Sequence, residues 1–160
     1  MTSIKLPGQA LKAIGSGREI QVRRTGVPIV LLYHSRNTAE LAREINTKVR
    51  DIYPNASDLL IASIIDMHGV PKLMRGVTEK MIAGEYEKES ARLSDDQDPA
   101  DIIIILVDWN GKITAGAGFE DTDKQLGLIV LDANGNLVDI YQGDEPVKMA
   151  IELVEKAIST

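Results

Sequence analysis

Residues 27–52 read VPIVLLYHSRNTAELAREINTKVRDI, and the two halves of this stretch follow different periods. Ile29 to Leu32 is an unbroken apolar run rich in branched side chains, the pattern of a strand covered on both faces of a parallel sheet. After His34, Ser35, Arg36 and Asn37, the apolar residues Leu41, Ile45, Val49 and Ile52 recur at helical spacing until Pro54-Asn55 ends the pattern. Asn37 is placed to cap this helix, with Glu40 reaching back to the cap in a capping box. A strand that delivers its last side chains to a helix N-terminus is where open α/β sheets hold ligands, because the helix start presents free N–H groups and a positive dipole end.

Working outward, Leu59 to Ile65 is a second apolar strand, so residues 27–65 form a right-handed βαβ unit with parallel strands. Their C-terminal ends bring His34, Ser35 and Arg36 beside Asp66 and His68 at one sheet edge. Ile102 to Val107 is a further buried strand, closed by the turn Asp108-Trp109-Asn110-Gly111. Leu128–Leu131 and Leu137–Tyr141 flank Asn134-Gly135, a hairpin signal that makes the sheet mixed. A last amphipathic helix starts at Pro146 and runs to Ile158. Between the strands, Pro71 opens a helical insertion over residues 71–100, with Met74, Val77, Met81, Ile82 and Tyr86 as its apolar stripe, and Asp95 to Pro99 is a polar connector. At the other end of the chain, residues 1–18 carry Pro7, Gly8, Gly15 and Gly17 and are expected to lie loosely over the domain; Glu19 to Val22 alternates as a short half-buried strand. Residues 112–119 are too rich in Gly and Ala to assign.

Composition bounds the function. With 160 residues, 44% hydrophobic and 26% charged, residues 1–160 read as one globular domain. A net charge of -6 opposes binding to a phosphate backbone, so nucleic acid is not expected as a partner. No stretch approaches the roughly 20 apolar residues of a membrane span, and a cytoplasmic location is expected. The chain has no cysteine, which removes disulfides, thiol catalysis and Cys-ligated metal.

The order βαβ, insertion, ββ hairpin and terminal helix resembles the thioredoxin order, and the wording resembles redoxins of the peroxiredoxin (AhpC/TSA) and TlpA-like kind. The carriers are IVLLYHSRNTAELAREI and, more specifically, DWNGKITAGAGFEDTDKQLGLIVLDANGNLVDIYQGD from Asp108 to Asp144. The resemblance implies an α/β, thioredoxin-like fold: a central mixed sheet flanked by helices, with the insertion between the βαβ and ββα units. It also shows what is lost. The family's C-x-x-C falls near Thr38-Ala39-Glu40-Leu41, of the peroxiredoxin threonine-cysteine pattern only Thr38 remains, and Gln125-Leu126-Gly127 stands where a cis-proline precedes the strand. A hydroxyl cannot replace a thiol in disulfide exchange.

Three function classes follow. One is a redox-inactive thioredoxin-like binding module with a protein partner or as a homodimer; another is a carrier of a small acidic ligand or anion at the helix start. The third is a non-thiol enzyme, or an anion or metal site, built from His34, Arg36, Asp66 and His68. The candidate ligand-binding residues are His34, Ser35, Arg36, Asn37, Thr38, Asp66 and His68, and no catalytic residue, resident metal or cofactor is assigned. Gly116-Ala117-Gly118 lacks the surroundings of a nucleotide loop, and Glu120, Asp121 and Asp123 lack calcium-loop spacing.

Overall fold

The computed structural model describes residues 4–159. Its centre is a five-stranded sheet built from β3 (Ile29–His34), β4 (Leu60–Asp66), β5 (Ile104–Asp108), β6 (Gly127–Leu131) and β7 (Leu137–Gln142), in the order β5-β4-β3-β6-β7. β3 pairs parallel with β4, and β4 with β5; β6 runs antiparallel to both β3 and β7. β1 (Leu11–Lys12) and β2 (Glu19–Ile20) form a separate antiparallel ribbon. The strand read over residues 19–22 is therefore shorter than expected and lies outside the main sheet.

Alternation along the buried strands divides the core in two. Ile29, Leu31 and Tyr33 of β3 face one side with Leu60, Ala62, Ile64, Leu106 and Phe119. Val30 and Leu32 face the other, against α1 (Ala39–Ile52) and α5 (Pro146–Ile158). Every residue of β3 is buried, as its position between β4 and β6 requires. Burying one such aliphatic side chain stabilises by about 1.5–3 kcal/mol, so this strand is the mechanical centre of the sheet.

Several expectations change. α1 buries Ala42, Ile45 and Val49, while Ile52, its last residue, is exposed. Thr38 occupies the cap position and no side chain caps the helix, so the Asn37–Glu40 capping box does not form. β5 starts at Ile104 because Asp98 accepts the Ala100 N–H and Pro99 starts a short helix, α3 (Pro99–Ile102). Lys112–Gly116 forms the short α4 after Gly111, whose φ of 76° suits a glycine.

Residues 4–18 are anchored to the domain at a few points, while Lys5, Gly8, Gln9, Ala10 and Lys12 are exposed. Ala13 and Ile14 are buried, the Ile14 N–H donates to the Ile105 carbonyl of β5, and Arg18 meets Asp101 at 2.7 Å. Gly15 lies against the Tyr86 ring so tightly that no Cβ fits there. That contact positions α2 (Arg75–Ser90), which follows a single 3-10 turn at Lys72–Met74. α2 buries Thr78 and Tyr86, leaving Met74, Val77 and Met81 about half exposed. The apolar stripe read from the sequence therefore faces outward at its start.

Candidate functional site

His34 closes β3 on the α1 side of the sheet, the parity of Val30 and Leu32. It is buried, and its Nδ1 lies 2.9 Å from the Ser35 carbonyl oxygen. A carbonyl only accepts, so Nδ1 carries the proton and a neutral imidazole keeps its lone pair on Nε2. Burial pushes the His34 pKa below its usual value and so favours that neutral form. Nε2 makes no hydrogen bond among the described residues and belongs to a side chain on the wall of a groove.

The groove runs between α1 and α2. It consists of two adjoining cavities of about 700 and about 430 Å³ that share His34, Ala39, Ile65, Ile82 and Glu85 as walls. Its floor is the face of the sheet that α1 leaves uncovered, with Ile65, Ile103 and Ile105 half buried. Ala39, the first residue of α1, borders both cavities. At the far end stands Arg50, whose Nη1 donates to the carbonyls of Leu59 at 2.8 Å and Tyr53 at 3.2 Å. Its Nε and Nη2 are buried without a partner, and burial lowers its pKa.

The remaining residues read from the sequence divide into three groups. Ser35 and Thr38 are consumed in closing the strand-to-helix turn. Thr38 Oγ1 accepts the Ser35 N–H at 3.0 Å and donates to the Thr122 carbonyl at 2.7 Å, while Ser35 Oγ accepts the Asn37 N–H at 3.2 Å. Arg36 and Asn37 are exposed, with Arg36 at the mouth of the smaller cavity.

Asp66 and His68 form a separate pair. The Asp66 carboxylate lies 2.8 Å from His68 Nδ1 and accepts the His68 N–H at 3.1 Å, and this partner raises the pKa of the exposed imidazole. Asp66 shares the parity of Leu60, Ala62 and Ile64, so it sits on the opposite face of the sheet from His34. The three do not converge. Among the described residues no group of three or more His, Cys, Asp or Glu is arranged to hold a metal ion.

A buried polar cluster escaped the sequence reading. Asp108 Oδ2 accepts from the Thr114 N–H at 2.7 Å and from Thr114 Oγ1 at 2.8 Å, fixing α4 to the end of β5. Asp108 Oδ1 and the Tyr33 hydroxyl are both buried without partners, and burial together with the Asp108 charge drives the Tyr33 pKa far above its usual value. In sequence Asp108 reads as a turn residue, and its burial follows only from the pairing of Asp66 with Asp108 across the sheet.

No family model matches the chain, and no curated protein matches it. Solved structures do. A putative thioredoxin from Neisseria meningitidis superposes with a TM-score of 0.64 at 10% identity, covering 99% of this chain and 92% of that one. The pneumococcal exposed lipoprotein thioredoxin of Streptococcus pneumoniae gives 0.59 at 16% identity over 92% and 97% of the two chains. StoA from Bacillus subtilis gives 0.57 at 13% identity over 96% of this chain and 97% of that one.

 At these identities the likeness establishes the fold, which is thioredoxin-like, with a mixed five-stranded sheet flanked by helices. No sulfur stands at the start of α1.

Proposed function

We propose that this cysteine-free chain of thioredoxin-like fold is a redox-inactive binding module that takes the apolar part of a small ligand into the groove between α1 and α2. The observation that carries this reading is the half-buried floor of Ile65, Ile103 and Ile105 beneath a cavity of about 700 Å³. Ligand pockets fall in the range of roughly 300–1,000 Å³ and are mainly apolar with a few polar groups. His34 Nε2 supplies one hydrogen-bond acceptor on the wall. The start of α1 has neither a thiol nor a free hydroxyl nucleophile, because Ser35 and Thr38 are engaged in the turn.

The test is a fluorescence titration with the neutral apolar probe phenylnaphthylamine, using the native chain and Ala39→Trp, which fills the junction of the two cavities. Saturable binding that the substitution abolishes, with the melting temperature kept, supports the reading. Absence of saturable binding, or binding indifferent to Ala39→Trp, overturns it.

A second reading has its own observation. Leu73 is 95% exposed, and with Met74, Val77 and Met81 it forms an apolar lip on α2 suited to a second copy of this chain. Sedimentation of native chain against Met81→Lys tests this: a dimer lost on substitution supports self-association, and a monomer at all concentrations rejects it.

A further inference from the structure

Resting on the binding-module reading above, we propose that the ligand is a small carboxylic acid with an apolar body, its carboxylate held by Arg50 and its body lying on the isoleucine floor. The Arg50 guanidinium is only partly engaged. Nη1 is committed to two carbonyls, whereas Nε and Nη2 are buried and unpaired. Those two N–H groups lie along one edge of the planar group, and a carboxylate's two oxygens match such an edge. Leaving a buried charged donor unpaired is costly, so an acceptor at that edge stabilises the fold as well as the ligand.

The charge around the groove agrees. Arg43 lies two helical turns before Arg50, on the same flank of α1, at a separation of about 10 Å given a rise of about 1.5 Å per residue. Arg36 extends the row to the mouth. None of the three forms an ion pair among the described residues. On the opposite wall Glu85 pairs with Lys88 at 3.5 Å and Glu89 with Arg92 at 3.4 Å, so these two acids already have cations, and Asp51 is the remaining acid of the lining. A fully polar anion would leave Ile65, Ile82, Ile103 and Ile105 without contact, which is why the acid carries an apolar body.

The experiment displaces phenylnaphthylamine with octanoate and, separately, with octanol, which has the same chain length and no charge. Octanoate is expected to compete at least about tenfold more tightly, the scale of one charge-assisted interaction. Arg50→Lys keeps the charge and loses the paired edge, and it is expected to shrink the advantage of octanoate over octanol severalfold. Because Arg50 also holds Leu59 and Tyr53, the native chain supplies a second readout: the Arg50 Nε–H resonance moves with octanoate and stays with octanol. Equal competition by the two probes, or an Arg50 resonance unmoved by octanoate, overturns the assignment while probe binding keeps the module reading. Failure of phenylnaphthylamine itself to bind removes both.

Discussion

Thr38 and Thr122, far apart in sequence, are joined by a hydrogen bond of 2.7 Å from the Thr38 hydroxyl to the Thr122 carbonyl, inside the protein. The same hydroxyl accepts the Ser35 N–H, so one side chain locks the end of β3, the start of α1 and the segment before β6. Thr38→Val removes the hydroxyl at nearly constant volume and leaves the Ser35 N–H and the Thr122 carbonyl without that partner. It is expected to cost about 1–3 kcal/mol, with Thr38→Ser much milder. Urea unfolding measures both, and equal effects of the two substitutions would contradict the shared-hydroxyl account.

Gly127 is required by Phe119. A Cβ at Gly127 would fall 2.6 Å from the ring, which also packs on Tyr33 with centroids 4.9 Å apart. Gly127→Ala is expected to destabilise by about 1–3 kcal/mol through overpacking. Adding Phe119→Leu should recover part of that loss, a non-additivity that a double-mutant cycle reads directly.

His34 makes stability fall with acid. Burial lowers its folded pKa, so the unfolded chain takes up the proton first, near the model-peptide value of about 6.5. The contribution is complete above that unfolded value and is lost as pH falls through it toward the folded pKa. His68 has the opposite sign, its raised pKa favouring the fold at low pH, and its exposure weakens the effect. Urea midpoints across this range should fall less steeply in His34→Gln than in the native chain, and an unchanged slope would contradict the burial account.

The lip of α2 should tolerate charge. Val77 is 52% exposed and Met81 58% exposed, so Val77→Lys is expected to change stability by no more than about 0.5 kcal/mol. A loss of several times that amount in thermal or urea unfolding would contradict the exposure of this lip.

The fold was legible because its signals are local. The apolar run of β3, the period of α1 and the Asn134-Gly135 hairpin each announce themselves within a few residues. The hairpin loop also carries Asp132, whose carboxylate accepts the N–H groups of Asn134 and Asn136. The site was less legible for a physical reason. In a strand buried on both faces, alternation carries no polarity signal, so nothing marked His34 and Asp66 as pointing to opposite sides. The caps failed similarly: Thr38 finds its acceptor in Thr122, which no local rule reaches. At the start of α2, Met74, Val77 and Met81 have helical spacing whether that stripe is buried or exposed, and the inward face is the one that carries Thr78 and Tyr86.

The central claim is that the groove between α1 and α2 binds a ligand. Its most direct test is NMR amide shift mapping of the native chain during titration with phenylnaphthylamine. The account predicts that the perturbed amides cluster at Ala39, Ala42 and Asn46 on α1, Ile82 on α2, and Ile65, Ile103 and Ile105 on the floor. Perturbations centred on Asp66, His68 and Trp109, or none at all, would contradict it.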